Sequence, residues 1–286
     1  MRLYALARAA LTLPAADILA DLCRFDPARR WVLEGRSPQI GAGAVFAGAG
    51  GSRDLRIVLQ RLDALAVGPA DPDVLNRCWW LEDGAVLVAR HRLHYRLSLP
   101  DADESWLTAT EAARLLTRVM AGLACDPALT AVWNDTARVL FAAEHMHGFA
   151  RRAAGGDVPL QLWLGLTYGL DKPGLVSVST SGLADFMGFE VELWDAPWSV
   201  EAAGEKVTSL LRYLLRHGPV LGDAIGSGGG PGRVHYRFGY SRLARPQPVQ
   251  AMFLEVAAPS VPVAGRIGES RSRERPRSGR RPGREP

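Results

Sequence analysis

The chain has 286 residues, 48% hydrophobic and 22% charged, the range of globular proteins that bury a substantial core in one large domain or two ordinary ones. Its formal charge of +4 is concentrated at one end: residues 265–286 hold eight Arg and three Glu, so the first 264 residues sum to −1 and offer no polycation to nucleic acid or an anionic membrane. Cys23, Cys78 and Cys125 are odd in number and far apart with no Cys-x-x-Cys, which argues against a disulfide framework or a paired-cysteine zinc site and for reduced, mostly buried thiols in a cytoplasmic protein.

Residues 3–10 read as a strand. Arg8 breaks the apolar run there and Asp17 and Asp21 follow, so a signal peptide is not expected, and no apolar run approaches the roughly 20 residues of a membrane span. Residues 14–23 read as a helix with Pro14 in its first turn. Residues 41–51 are glycine-rich punctuation around a short strand, and 54–65 alternate as another strand. Glu82-Asp-Gly84 then signals a turn into a long extended run over 85–99.

Thr108-Ala-Thr-Glu111 has the form of a capping box, and the helix after it aligns Ala112, Leu115, Leu116, Val119 and Leu123 on one stripe. A strand is predicted at 129–133, a short helix at 142–152, and strands at 160–168, 175–180 and 189–194. Ser199 caps a helix to Arg216, stopped by His217-Gly218-Pro219. Strands at 232–240 and 248–256 complete the set, with Val234, Tyr236, Phe238 and Tyr240 on one face.

Together these elements predict an α+β fold: a mixed or mainly antiparallel sheet, helices packed on one face, and two similar lobes, residues 1–134 and 135–258. Residues 259–286, dominated by Arg, Pro, Ser, Gly and Glu, read as a disordered tail.

The chemistry-bearing residues are few. Glu190 and Glu192 lie two apart on a predicted strand, so they share a face with α-carbons about 6.6 Å apart, while Phe189, Val191 and Leu193 point to the core. Such a pair could hold a divalent cation or act as acid and base, with His145 or His235 brought near by folding. The simpler reading is the wet face of a half-exposed strand, partly covered by Trp194. His145 and His147 lie on a segment that looks helical, which turns them away from each other, and His91 and His94, three apart on a strand, face opposite sides. The glycine-rich 226–232 precedes a strand, so it lacks the helix a phosphate loop needs, and Ser181 lacks a Gly-x-Ser-x-Gly setting. Most tryptophans, including Trp79, Trp80, Trp194 and Trp198, read as core or lobe-interface anchors, with an aromatic groove for a partner as the alternative.

From Thr130 to about Val256 the chain resembles the bacterial domain of unknown function 4261 family. The matching residues run in order: Ala131-Val-Trp133, Glu144-His145, Val158-Pro-Leu-Gln-Leu-Trp163, Thr180-Ser-Gly-Leu183, Phe186, Glu190-Val-Glu192 and Leu221-Gly-Asp-Ala-Ile-Gly226. Met187 stands where the pattern has Gly, with Gly188 one place later. The resemblance implies a fold and no activity. The expectation is a non-catalytic binding or accessory module that needs no cofactor, with an unidentified protein partner and at most a weak hold on nucleic acid through the tail. The alternative is a metal-dependent or acid–base enzyme built on Glu190 and Glu192.

Overall fold

Alternation at the start of the chain makes the first strand, β1 (Leu3–Ala7). Leu3, Ala5 and Ala7 face the main core and Leu6 the opposite side. The structure, a computed structural model, describes residues 1–35, 39–50, 54–65, 84–100, 106–219, 234–243 and 248–256. The predicted tail, the glycine loop at 226–232, Cys78, Trp79 and Trp80 lie outside the described residues.

Helix α1 (Ala15–Phe25) follows Pro14 and buries Ala15, Ile18 and Leu22, spaced to share one face. Strands β2 (Arg30–Glu34), β3 (Ala44–Ala49) and β4 (Leu55–Leu62) then form a meander. The extended run predicted over 85–99 is not one element. Gly84–Arg90 is a helix, α2, and only Leu93–Ser98 is a strand, β5. The apolar run Ala85-Val-Leu-Val does not alternate, and a helix lets Val88 and Leu87 pack on Leu6, Ala131, Trp133 and Leu140, on the far face of the sheet from α1.

Helix α3 (Trp106–Leu123) buries the stripe expected of it. It begins two residues before Thr108, so Thr108-Ala-Thr-Glu111 does not cap it; Glu111 instead accepts from Arg29 Nη1 at 2.7 Å. Strands β6 (Leu129–Asn134) and β7 (Val139–Ala142) form a hairpin that crosses the proposed boundary at residue 135. The first sheet therefore extends to Ala142, in the order β2-β3-β4-β5-β1-β6-β7, all antiparallel.

Helix α4 (Met146–Ala154) leads to a helical turn, α5 (Leu160–Trp163), where a strand was expected, and the strand β8 begins only at Gly165 (Gly165–Gly169). Strand β9 (Val176–Ser181), turn α6 (Ala184–Met187), strand β10 (Phe189–Ala196), helix α7 (Val200–His217), and strands β11 (Val234–Tyr240) and β12 (Gln250–Val256) follow. Ser199 Oγ accepts from Ala202 N at the start of α7, the cap read from the sequence.

The second sheet has the order β11-β12-β10-β9-β8, with β10 and β12 parallel and the rest antiparallel. The fold is α+β, but its two sheets differ in strand number and pairing. One continuous hydrophobic cluster runs through both, from Leu3 and Tyr95 to Leu193 and Leu254. Among the described residues no helix is long and apolar enough to cross a membrane. Cys23 and Cys125, expected to be buried, are exposed free thiols.

Candidate functional site

β10 is the central strand of the second sheet, flanked by β9 and β12. This position overturns the wet-face reading of Glu190 and Glu192. They share a face as expected, but Glu190 is 3% exposed and Glu192 fully buried, because the strand is covered on both sides. Burying two carboxylates is costly unless their oxygens are satisfied, and each is satisfied by the chain itself.

Glu190 reaches back to the turn that precedes its own strand. Its Oε1 accepts from the backbone N–H of Gly182 at 3.0 Å and Ala184 at 3.3 Å. Its Oε2 accepts from Thr180 Oγ1 at 2.6 Å and Leu183 N at 3.2 Å. Each oxygen thus takes at least two bonds, enough to fill the acceptor capacity of a carboxylate. The sequence makes this possible at Gly182, whose φ of 92° turns successive N–H groups inward, and at Gly188, whose φ of 77° returns the chain to β10. Gly188, one place beyond the position expected from the resemblance, is the residue that closes the turn.

Glu192 faces a different segment. Its Oε2 accepts from Trp194 Nε1 at 2.9 Å and Arg242 N at 3.3 Å, and its Oε1 from the hydroxyl of Ser241. Trp194 is half-buried, with the Arg242 guanidinium 5.8 Å over its ring. Glu192 therefore fastens the turn after β11 to the centre of the sheet.

The turn clasped by Glu190 is also where the two sheets meet. Ser181 Oγ donates to Ala137 O at 2.8 Å, in the β6–β7 hairpin, and Asn134 Nδ2 donates to Leu162 O at 2.8 Å. Trp163, stacked on Phe186 at 5.6 Å, donates from Nε1 to Thr117 Oγ1 at 2.9 Å. The hairpin seats against backbone: a Cβ on Gly165 would lie 2.1 Å from Ala137 O, and one on Gly182 would lie 2.9 Å from Trp163 O. Ser181, which lacks the setting of a nucleophile, is a strut between the two sheets. Asn134 and Gly165 carried no signal of their own, since the segments they meet across the joint, at Leu162 and Ala137, lie 28 residues away in the chain.

Asp126 repeats the device in the first sheet. Burial pushes its carboxyl upward, but bonds from Ala128 N, Thr12 N and Oγ1, and Leu13 N outweigh this and hold it below its ordinary value.

The histidines do not join the acids. His145 is exposed in the turn before α4, its ring edge-on to Phe141 at 6.5 Å, and His235 is exposed on β11 opposite Glu255. His147, also exposed, lies 3.9 Å from Cys125 Sγ. Of the candidates, Glu192 and Trp194 are bonded to each other, while Glu190 shares their face of β10 but engages the Gly182 turn. Among the described residues no three His, Cys, Asp or Glu side chains gather where they could hold a metal ion.

His91 precedes β5 rather than lying on it, and His91 and His94 are both buried. Burial pushes His94 below its ordinary value of 6.5, reinforced by His91 and Arg96 and opposed by the bond to Ala64 O. The unfolded chain takes up this proton first, so the contribution is full above pH 6.5 and shrinks as pH falls below it. Unfolding free energy followed from about pH 7.5 down to about pH 5.5 should fall, and His94→Gln should show a shallower slope; an equal slope would mean that His94 does not set it.

No family model, curated protein or solved structure matches the chain.

Proposed function

We propose that the protein is a non-catalytic binding module of the bacterial cytoplasm that acts through contacts with another protein. One observation carries this reading: the buried acids, its best catalytic candidates, direct their acceptors to the chain's own donors, Glu190 to Thr180, Gly182, Leu183 and Ala184 and Glu192 to Trp194, Ser241 and Arg242. An acid or base must reach the proton it transfers, and a metal ligand needs a free lone pair. Here either role would first require the joint to open. The exposed thiols of Cys23 and Cys125 suit a reducing compartment.

In this proposal the pattern shared with the domain of unknown function 4261 family, Thr180-Ser-Gly-Leu183 with Glu190, is a folding signature: a glycine turn and the acid that clasps it. The test is calorimetric titration with Mg²⁺, Mn²⁺, Ca²⁺ and Zn²⁺. No saturable binding is expected in the wild type. Saturable binding of any of these ions, lost in Glu190→Gln or Glu192→Gln, would overturn the reading.

A further inference from the structure

We propose that the outer edge of β11 is a self-association surface, where β11 of a second copy pairs antiparallel about a two-fold axis at Phe238. β11 ends the second sheet, bonded to β12 on one side, and no strand among the described residues pairs with its other side. An open edge is a template for another strand, and monomeric proteins guard it with charge, proline, a bulge or a short strand. β11 carries one charge, Arg237, and none of the other three. It is seven residues long, contains no proline, and pairs with β12 without a register shift. Its one Arg, Lys, Asp or Glu is Arg237, which donates to Glu255 at 2.6 Å and lies 4.7 Å over the Phe253 ring.

The face it carries is aromatic. Phe238 is 45% and Tyr240 73% exposed, and the buried hydroxyl of Tyr236 has no hydrogen-bond partner among the described residues.

The strand is complementary to itself. A two-fold axis at Phe238 sets Phe238 against Phe238 of the second copy, Tyr236 against Tyr240, and Arg237 against Gly239. That register stacks aromatic on aromatic on one face and opposes no like charges on the other. An axis at Arg237 would instead set two arginines face to face, which is unfavourable. The occupant is therefore a second copy of this chain, and the two second sheets become one continuous sheet. This does not rest on the non-catalytic reading: a monomer would overturn it and leave that reading standing.

The experiment is sedimentation equilibrium of the full chain from about 1 to about 200 μM, the range of modest self-association. A concentration-dependent dimer is expected. Tyr240→Asp, at the most exposed of these positions, should be monomeric throughout with an unchanged unfolding midpoint. The register is checked with Cys23, Cys78 and Cys125 all changed to Ser. On that background oxidised Phe238→Cys should cross-link, and Tyr240→Cys should not, its two copies lying about 13 Å apart along the strands. A monomeric wild type, a dimer indifferent to Tyr240→Asp, or equal cross-linking at both positions would overturn the proposal. The Tyr240→Asp result decides alone if loss of the Phe238 contact with Phe189 impairs folding.

Discussion

Replacing Glu190 with glutamine should lower the unfolding free energy by about 3 kcal/mol, as buried networks that lose an ionisable partner do. Glutamine keeps the shape but converts one acceptor oxygen into a donor. Either orientation of the amide sets an NH2 group against donors, at Gly182 and Ala184 or at Thr180 and Leu183. Val191 N also donates to Thr180 Oγ1 at 2.8 Å, so disturbing the acid unsettles the strand pairing beside it. Urea unfolding followed by tryptophan fluorescence reads the loss. Glu190→Gln within about 0.5 kcal/mol of wild type, the range of neutral surface changes, would show that the carboxylate does not hold the turn.

The larger effect is expected at Gly165. Alanine there would place its methyl 2.1 Å from Ala137 O and 2.6 Å from Ser181 Oγ. No rotamer relieves a Cβ clash with backbone, so the β6–β7 hairpin and β8 must move apart. Overpacking costs typically about 1–3 kcal/mol, and this contact lies beyond what side-chain adjustment can absorb, so a loss above about 3 kcal/mol is expected. Gly148 supplies the opposite sign under the same measurement. It lies within α4, and a methyl there would meet no described atom within 4 Å, so Gly148→Ala should stabilise by about 0.5–1 kcal/mol. If Gly165→Ala unfolds at the same urea concentration as wild type, the sheets do not meet at the hairpin as described.

Several elements were legible because their evidence is local. The Ser199 cap, the α3 stripe and the strand at Phe189 to Ala196 rest on neighbours within a turn or on two-residue alternation. Readings failed where local patterns compete. Gly84-Ala-Val-Leu-Val reads as strand by composition and is helix by packing, and Val158-Pro-Leu-Gln-Leu-Trp163 ends in a helical turn. The strands β2 and β7 passed unnoticed because each is four or five residues long and held by a hairpin partner.

The sequence alone determined that this is an α+β chain and that Glu190 and Glu192 share one side of a strand, because backbone geometry imposes a two-residue period whatever surrounds it. Tertiary structure decided where in the sheet that strand lies. A strand at the sheet's edge would leave them wet; a central one, covered on both faces, turns the same two residues into buried anchors of the Gly182 and Ser241 turns. Burial depends on what packs above a strand, and β9, β12 and the 241–243 turn come from segments whose approach to β10 no local pattern encodes.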